Sequence, residues 1–384
     1  MDFSPTSAQI KLQEETRRFA AEQLGAGLED VDDPSGGAWR EDWLACAEQG
    51  IFSAIAPEAY GGSGQDVVSV VLMLEALGHG CPDNGLTLAV NGQIWAMMEP
   101  LISFGTDAQK KRYLPGLCDG SIIGAHGMTE RETGSDAFAL KTRAERRDGG
   151  FVLNGAKTLI GLGPACDLAL VFATSDPSLG RWGISAFLVE EGDPGFERGP
   201  AEVKMGLNTT PLGDLTLRDC WIPEDRLLGD EGSGAALFSH TMEWERSFIF
   251  ASHVGSMARQ LEACTAFAHR RKVFGGPIEQ HQSVTNRLAD MALRLETSRL
   301  LLYKAAWLKS RGEPCVQEAA MTKLHISEAF LASSLDAVRI HGGAGYLTAG
   351  GVERDLRDAM GGVIYSGTSD IQRQIIASLL RTAS

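Results

Sequence analysis

Apolar residues along this chain keep two periods, and the period changes twice. From residue 4 to about 120 the spacing is helical. Leu12, Phe19 and Leu24 form a rough stripe behind Ser7, whose hydroxyl suits the cap of a helix starting near Ala8. Val70, Val71, Leu74 and Leu77 recur at three- and four-residue steps, predicting a helix over 67–77 after the Gly61-Gly62-Ser63-Gly64 loop. Residues 108–114 read as a short helix that Pro115-Gly116 stops.

Between about 121 and 228 the apolar runs become short: Ile122-Ile123, then 151–153, 168–172, 184–189 and 215–217, separated by Gly, Asp, Asn and Pro. Such runs predict a compact antiparallel β domain. From about 229 the helical period returns. Phe250, Val254, Met257, Leu261 and Cys264 follow a 4-3-4-3 seam, and Leu288, Met291 and Leu295 begin a second helix. Gly312 and Pro314 break the chain before a third, over about 316–338. The expected architecture is α+β in helical–β–helical order: 1–120 helical, 121–228 antiparallel β, 229–384 a helical bundle.

Bulk properties narrow the function. The 384 residues can bury a large core, and 43% hydrophobic with 22% charged residues is ordinary for a globular protein. A net charge of −15 argues against nucleic acid and anionic lipid as partners. Seven scattered cysteines, with no C-x-x-C pair, predict reduced thiols in a cytoplasmic protein without disulfides. The eight histidines show no metal-ligand spacing, so no metal is expected. The opening residues lack a basic and then apolar leader, and no run of 18 apolar residues exists.

Chemistry enters with Ile364-Tyr365-Ser366-Gly367-Thr368-Ser369-Asp370-Ile371-Gln372-Arg373. This segment resembles the closing motif of the acyl-CoA dehydrogenase family, flavoenzymes that desaturate acyl thioesters. Much of that family has Glu after the Tyr, as the base that takes the α-proton; here the residue is Ser366. A hydroxyl without an activating partner is a poor base. Four more segments resemble the family, in its order, and together they cover about 120–381. Met1-Asp2-Phe3 and the loop at 56–62 resemble it more loosely.

Met128-Thr129-Glu130-Arg131-Glu132-Thr133-Gly134-Ser135-Asp136 is similar to the loop that wraps the flavin. The resemblance implies FAD contacts from Met128, Thr129, Gly134 and Ser135; the plain alternative is a polar turn between strands. In 154–161 the family has an aromatic and a hydroxyl beside the flavin, where this chain has Leu159, Ile160 and Gly161. Trp244-Glu245-Arg246, with Arg270-Arg271-Lys272-Val273-Phe274-Gly275, Pro277-Ile278, His281-Gln282 and 288–291, resembles the family's most specific stretch. It implies that Arg271, Phe274, His281 and Gln282 reach the flavin of a neighbouring subunit in a homodimer or homotetramer. Arg270 and Lys272 read more simply as a cationic helix end. Arg339-Ile340-His341-Gly342-Gly343 stands where the family has Gln-x-x-Gly-Gly, implying diphosphate contacts from Arg339, Gly342 and Gly343. Thr368 and Ser369 are implied to add contacts to the cofactor.

With Ser366 in the usual slot, the base must come from elsewhere. Some family members carry it on the long helix directly before an Arg, the place Glu245 occupies. Enclosed by Trp244, Tyr365 and an acyl chain, Glu245 should have a raised pKa and serve as the base. The alternatives are a solvated helix glutamate and, as a rival base, Asp370. Arg246, Tyr365 and Ser366 are then substrate-side residues, with Arg246 shaping the pocket or holding Glu245. Residues 332–340 with Trp-Glu-Arg resemble most closely the branch acting on acyl or aminoacyl (prolyl-type) thioesters of carrier proteins in antibiotic-type pathways. An acidic carrier would need a basic patch, for which Arg143, Arg146 and Arg147 are candidates. Two other readings stay open: a conventional acyl-CoA dehydrogenase with a displaced base, and a lapsed flavin-binding subunit or scaffold. Electron-transfer flavoprotein or oxygen would be the acceptor.

Overall fold

A computed structural model describes residues 4–25, 28 and 38–382; Met1-Asp2-Phe3 lies outside them. The first helix, α1 (Ser7–Gln23), is capped by Thr6 rather than Ser7. The Thr6 hydroxyl accepts from the Gln9 N–H at 3.2 Å and the Gln9 side chain accepts from the Thr6 N–H at 2.9 Å. This reciprocal box satisfies two otherwise orphaned donors, which Ser7 could not do with Ile10 three residues on.

Five further helices follow: α2 (Ala38–Glu48), α3 (Val67–Gly80), α4 (Asn84–Gly92), α5 (Glu99–Phe104) and α6 (Asp107–Cys118). Helix α6 runs through Pro115 instead of stopping there. Proline one turn from a helix end removes a single bond, and Leu114, Leu117 and Cys118 gain burial on both sides of it. Between α4 and α5, Gln93–Met98 forms a π-helical stretch that brings Trp95 into the interior.

The middle of the chain is an eight-stranded sheet: β1 (Gly124–Gly127), β2 (Arg143–Arg147), β3 (Gly150–Gly161), β4 (Leu168–Thr174), β5 (Ile184–Glu190), β6 (Phe196–Arg198), β7 (Leu212–Pro223) and β8 (Leu227–Leu228). The order is β6-β7-β3-β2-β4-β5-β8, with β1 beside β4. The sheet is not purely antiparallel: β1 and β2 both pair in parallel with β4. Such pairs need a crossover, which short-range turn signals do not reveal. Ile122-Ile123 is likewise no strand; the Asp167 carboxylate takes the Ile123 N–H at 2.7 Å, and the strand starts at Gly124. Strand β4 is buried on both faces, and its alternation divides it between two cores. Leu168, Leu170 and Phe172 join the helical core, and Ala169, Val171 and Ala173 the sheet's own.

The remaining helices are α7 (Gly234–Phe248), α8 (Ala251–Arg270), α9 (Gln282–Ser310), α10 (Val316–His341), α11 (Gly343–Tyr346), α12 (Val352–Gly362) and α13 (Ser369–Thr382), with a small hairpin of β9 (Lys272–Val273) and β10 (Gly276–Pro277) before α9. Helix α10 packs against α7, α8, α9, α12 and α13. Helix α3 crosses α8 at two glycines. A Cβ on Gly78 would stand 1.8 Å from the Ser252 carbonyl oxygen, and one on Gly255 1.9 Å from that of Glu75.

One polar contact ties the three parts together. The buried Asp358 carboxylate accepts the Leu207 N–H at 2.6 Å and the Asn84 amide at 3.0 Å, so a loop of the sheet and the start of α4 meet on α12. Burial pushes the Asp358 carboxyl up to about 7, against the lowering effect of those hydrogen bonds. All seven cysteines are free and buried. Among the described residues there is no metal-ligating cluster, and no helix is long and apolar enough to cross a membrane.

Candidate active site

Glu245 lies in the last turn of α7, partly buried, and Ser366 Oγ donates a hydrogen bond to its Oε1 at 2.5 Å. The hydroxyl in the usual carboxylate slot therefore touches the carboxylate that would replace it. Ser366 is on a sharp turn between α12 and α13, with φ of 55°, followed by Gly367 at 87°. A left-handed residue with a Cβ is costly unless its surroundings fix it. They do: the Ser366 carbonyl accepts from Arg246 Nε at 3.3 Å and from the Gln372 amide at 3.4 Å. Arg246 thus acts on Glu245 through the turn rather than by gripping it directly.

Tyr365 stacks on Phe250, centroids 5.3 Å apart and rings 5° from parallel, with its hydroxyl 3.5 Å from His253 Nε2. Beneath this pair lies Lys323 on α10, fully buried, its Nζ donating to the Gly362 carbonyl at 2.9 Å and 5.7 Å from the Phe250 ring centroid. Burial lowers the Lys323 ammonium to about 8, with Arg246 adding repulsion. The Glu245 carboxyl is raised chiefly by burial, against the Ser366 hydrogen bond and the charges of Arg246 and Lys323, which favour its ionised form. Trp244 does not wall Glu245. It stacks on Trp95 at 5.9 Å and packs on Phe248 inside the helical core. Asp370, the rival base, is exposed and paired with Arg373 at 2.9 Å.

The loop after β1 is anchored by a buried ion pair. Lys157 Nζ reaches Glu130 Oε1 at 2.7 Å and the carbonyl of buried Met128 at 3.3 Å, while the Thr129 carbonyl accepts the Thr158 N–H at 2.9 Å. Gly134 and Ser135 at its tip are exposed, and open space lies where a Gly134 side chain would be. Leu159 has φ of 55° at a bulge in the β3–β7 ladder and is 60% exposed. The bulge carries Leu159 outward and Ile160 into the sheet core, leaving Ile160 only its backbone for a ligand; Gly161 is exposed.

The other expected cofactor residues do not join this cluster. Arg271, Phe274, His281 and Gln282 surround the end of α8 and the start of α9, and Arg339, Gly342 and Gly343 the end of α10, about the small core of Cys264, Ala268, Ile278, Met291, Ala337 and Ile340. At 1.5 Å per residue, α8 separates Arg271 from Phe250 by about 30 Å. Phe274 is 97% exposed, Gln282 and Arg271 are exposed, and nothing fills the space beside Gly342 or Gly343. Arg339 contacts Asp336 at 3.5 Å.

These two regions fit FAD on their own terms. The buried hydroxyls of Thr133 and Ser369 and the His281 Nε2 have no protein partner, and buried polar atoms are rarely left so. A ligand rich in phosphate, ribityl and ring acceptors would satisfy them. Thr368 Oγ1 accepts the Ile371 N–H at 3.2 Å and so caps α13, leaving its proton available. Sequence reasoning missed Thr133, Lys157, Phe250 and Lys323. Lys323 did leave a signal, as a cation among Ala319, Ala320, Ile326 and Phe330 on a helix face that buries.

Profiles of three acyl-CoA dehydrogenase domains match the chain: the N-terminal domain over residues 6–121, the middle domain over 125–220 and the C-terminal domain over 232–380. The chain belongs to the acyl-CoA dehydrogenase family, and it is an FAD-dependent dehydrogenase of acyl thioesters. Among its relatives, the L-prolyl-[peptidyl-carrier protein] dehydrogenase of Pseudomonas fluorescens is 40% identical, over 99% of this chain and 100% of that protein. The crystal structure of the prolyl acyl carrier protein oxidase AnaB superposes with a TM-score of 0.96 at 42% identity, covering 98% of this chain and 100% of AnaB. PigA with FAD and proline gives a TM-score of 0.95 at 36% identity, over 100% of both chains.

Proposed function

We propose that this enzyme dehydrogenates an aminoacyl or acyl thioester, prolyl-type, held on a carrier protein of specialised metabolism, with Glu245 as the base. The carrying observation is the 2.5 Å contact between Ser366 and Glu245, which supports Glu245 as the replacement for a base at position 366. The relatives named for prolyl carrier proteins support the substrate class. FAD, when bound, supplies the two-electron acceptor.

The chain's own residues handle the proton. Ionised Glu245 takes the hydrogen α to the thioester carbonyl, and the electrons of that C–H bond become the new double bond as hydride leaves the adjacent atom. Burial raises the basicity of Glu245, while Ser366, Arg246 and Lys323 favour its ionised form. The Tyr365–Phe250 stack supplies a flat apolar wall. Arg271, Phe274, His281, Gln282, Arg339, Gly342 and Gly343 serve the cofactor of a second copy in a homo-oligomer.

Substitution E245Q tests the assignment. It should keep the yellow cofactor and lower the rate of its anaerobic bleaching by a carrier-bound substrate by about 10²- to 10⁴-fold. Bleaching at the parent rate would refute Glu245 as base. Equal bleaching by CoA and carrier thioesters would favour a conventional acyl-CoA dehydrogenase.

A further inference from the structure

The turn Pro177–Gly183, between β4 and β5, has no role in the chemistry above, yet it displays an unusual group of side chains. Leu179 is 55% exposed and Trp182 67%. Between them Arg181 lies over two rings, 5.2 Å from the Phe138 centroid and 5.5 Å from that of Trp182. Among the described residues no carboxylate forms an ion pair with it. Acids beside the turn are engaged elsewhere: Asp176 accepts from the Ser178 N–H at 2.9 Å and its hydroxyl at 2.6 Å, and Glu231, next to the Gly232 that packs on the Trp182 carbonyl, is held by Arg146 at 2.7 Å.

Of the three arginines proposed from sequence as the basic patch, two are not free in this way: Arg146 bridges Glu224 and Glu231, and Arg147 pairs with Glu145. Arg143 is exposed, forms no ion pair among the described residues, and lies close enough to Asp176, at the start of this turn, to act on its charge. On a chain of charge −15, an unpaired guanidinium flanked by exposed apolar side chains is a distinctive place for an acidic partner.

The turn also connects to the reaction centre. Phe138 meets Phe238 edge-on at 5.7 Å, and Phe238 stands on α7, seven residues before Glu245. Seven residues are two helical turns, so Phe238 and Glu245 share one stripe about 10 Å apart. Taken through Phe138 and Phe238, these legs put Arg181 within roughly 20 Å of Glu245, inside the reach of an extended phosphopantetheine arm. A guanidinium stacked on rings keeps its in-plane N–H donors for a bidentate phosphate contact.

We propose that this turn is the docking surface for an acidic carrier protein: Arg181 receives the phosphate of its prosthetic arm, and Leu179 and Trp182 pack against the carrier. The proposal rests on the reading of Glu245 as the reacting end of the path. It commits to a carrier rather than CoA because an adenine ring stacked on Trp182 would leave Leu179 uncovered, whereas a protein surface covers both.

The test uses the flavin-loaded full chain and one aminoacyl group presented three ways: on a carrier protein, on CoA and on N-acetylcysteamine. For R181E the ratio of kcat/KM on carrier to that on N-acetylcysteamine should fall by about 10-fold or more, mainly through KM, and its salt dependence should flatten. The double variant L179S/W182S should lower the carrier ratio while sparing the CoA ratio. An unchanged carrier ratio in both variants overturns the proposal. So does a loss in R181E that is equal for carrier and CoA with none in L179S/W182S, which would make the turn a phosphate site only. Failure of the Glu245 reading is distinguishable, since E245Q would then leave all three substrates turning over.

Discussion

Replacing Ser366 by Ala removes the hydroxyl that donates to Glu245 while leaving the carboxylate in place. The bond is short, 2.5 Å, and its acceptor is ionised in the active form. Hydrogen bonds to charged groups contribute about 1.5–3 kcal/mol, which corresponds to roughly 10- to 100-fold in the ionised fraction wherever Glu245 is mostly protonated. The sign is fixed by the chemistry: the hydrogen bond favours the carboxylate, so its loss raises an already raised pKa. With Glu245 in its proposed role as the base, activity should then start its rise at higher pH. S366A should lose about 10- to 100-fold in kcat/KM on the acid limb of the pH profile and recover most of it on the alkaline plateau. Flavin bleaching in single turnovers isolates this from reoxidation. S366G is the control for backbone strain. At φ of 55° glycine avoids a cost of about 1 kcal/mol, so S366G should melt higher than S366A yet show the same acid-limb loss. If both variants keep the parent's acid limb, the hydroxyl is not tuning the base and the pairing is incidental.

Two predictions concern stability. G255A forces a Cβ to within 1.9 Å of the Glu75 carbonyl, so α3 and α8 must separate; a loss of about 1–3 kcal/mol or more is expected by urea denaturation, and a variant as stable as the parent would contradict the close crossing. Asp358 has a folded-state pKa of about 7 against an ordinary 3.8, so the protein gains from its protonated form. That contribution is complete below the unfolded value and is lost as pH rises through the folded one, by about 4 kcal/mol at most. D358N, neutral throughout and still able to accept the Leu207 N–H, should flatten the fall in stability between pH 4 and 7; an unaltered profile would point to another group.

How much was legible beforehand differed by element. The seams of α8 and α9 read directly, because a buried helix must place an apolar residue at every turn. The lengths of β3 and β7 did not, since both strands run past their apolar cores through polar positions whose partners, such as Asp214 for Thr158 and Asp219 for Asn154, lie more than 50 residues away. The parallel partners of β4 were invisible for a related reason: they depend on distant segments. In the site, an empty slot at 366 and an acid before Arg246 pointed to each other across 121 residues, and the fold brings them into contact. Lys323 escaped notice because a buried cation is recognised by its neighbours. Trp244 misled because adjacency in sequence puts it about 100° around α7 from Glu245.

The latch between Leu207 and Asp358 has a consequence for how such chains diversify. A methyl on Gly361 would stand 2.9 Å from Leu207 and 3.5 Å from the Tyr365 ring, so the sheet's loop and that ring close on the same glycine. The seating of the sheet on the helices therefore stands one glycine away from Tyr365. Grafting another member's middle third onto this frame is expected to move Tyr365 by way of Leu207 and Gly361.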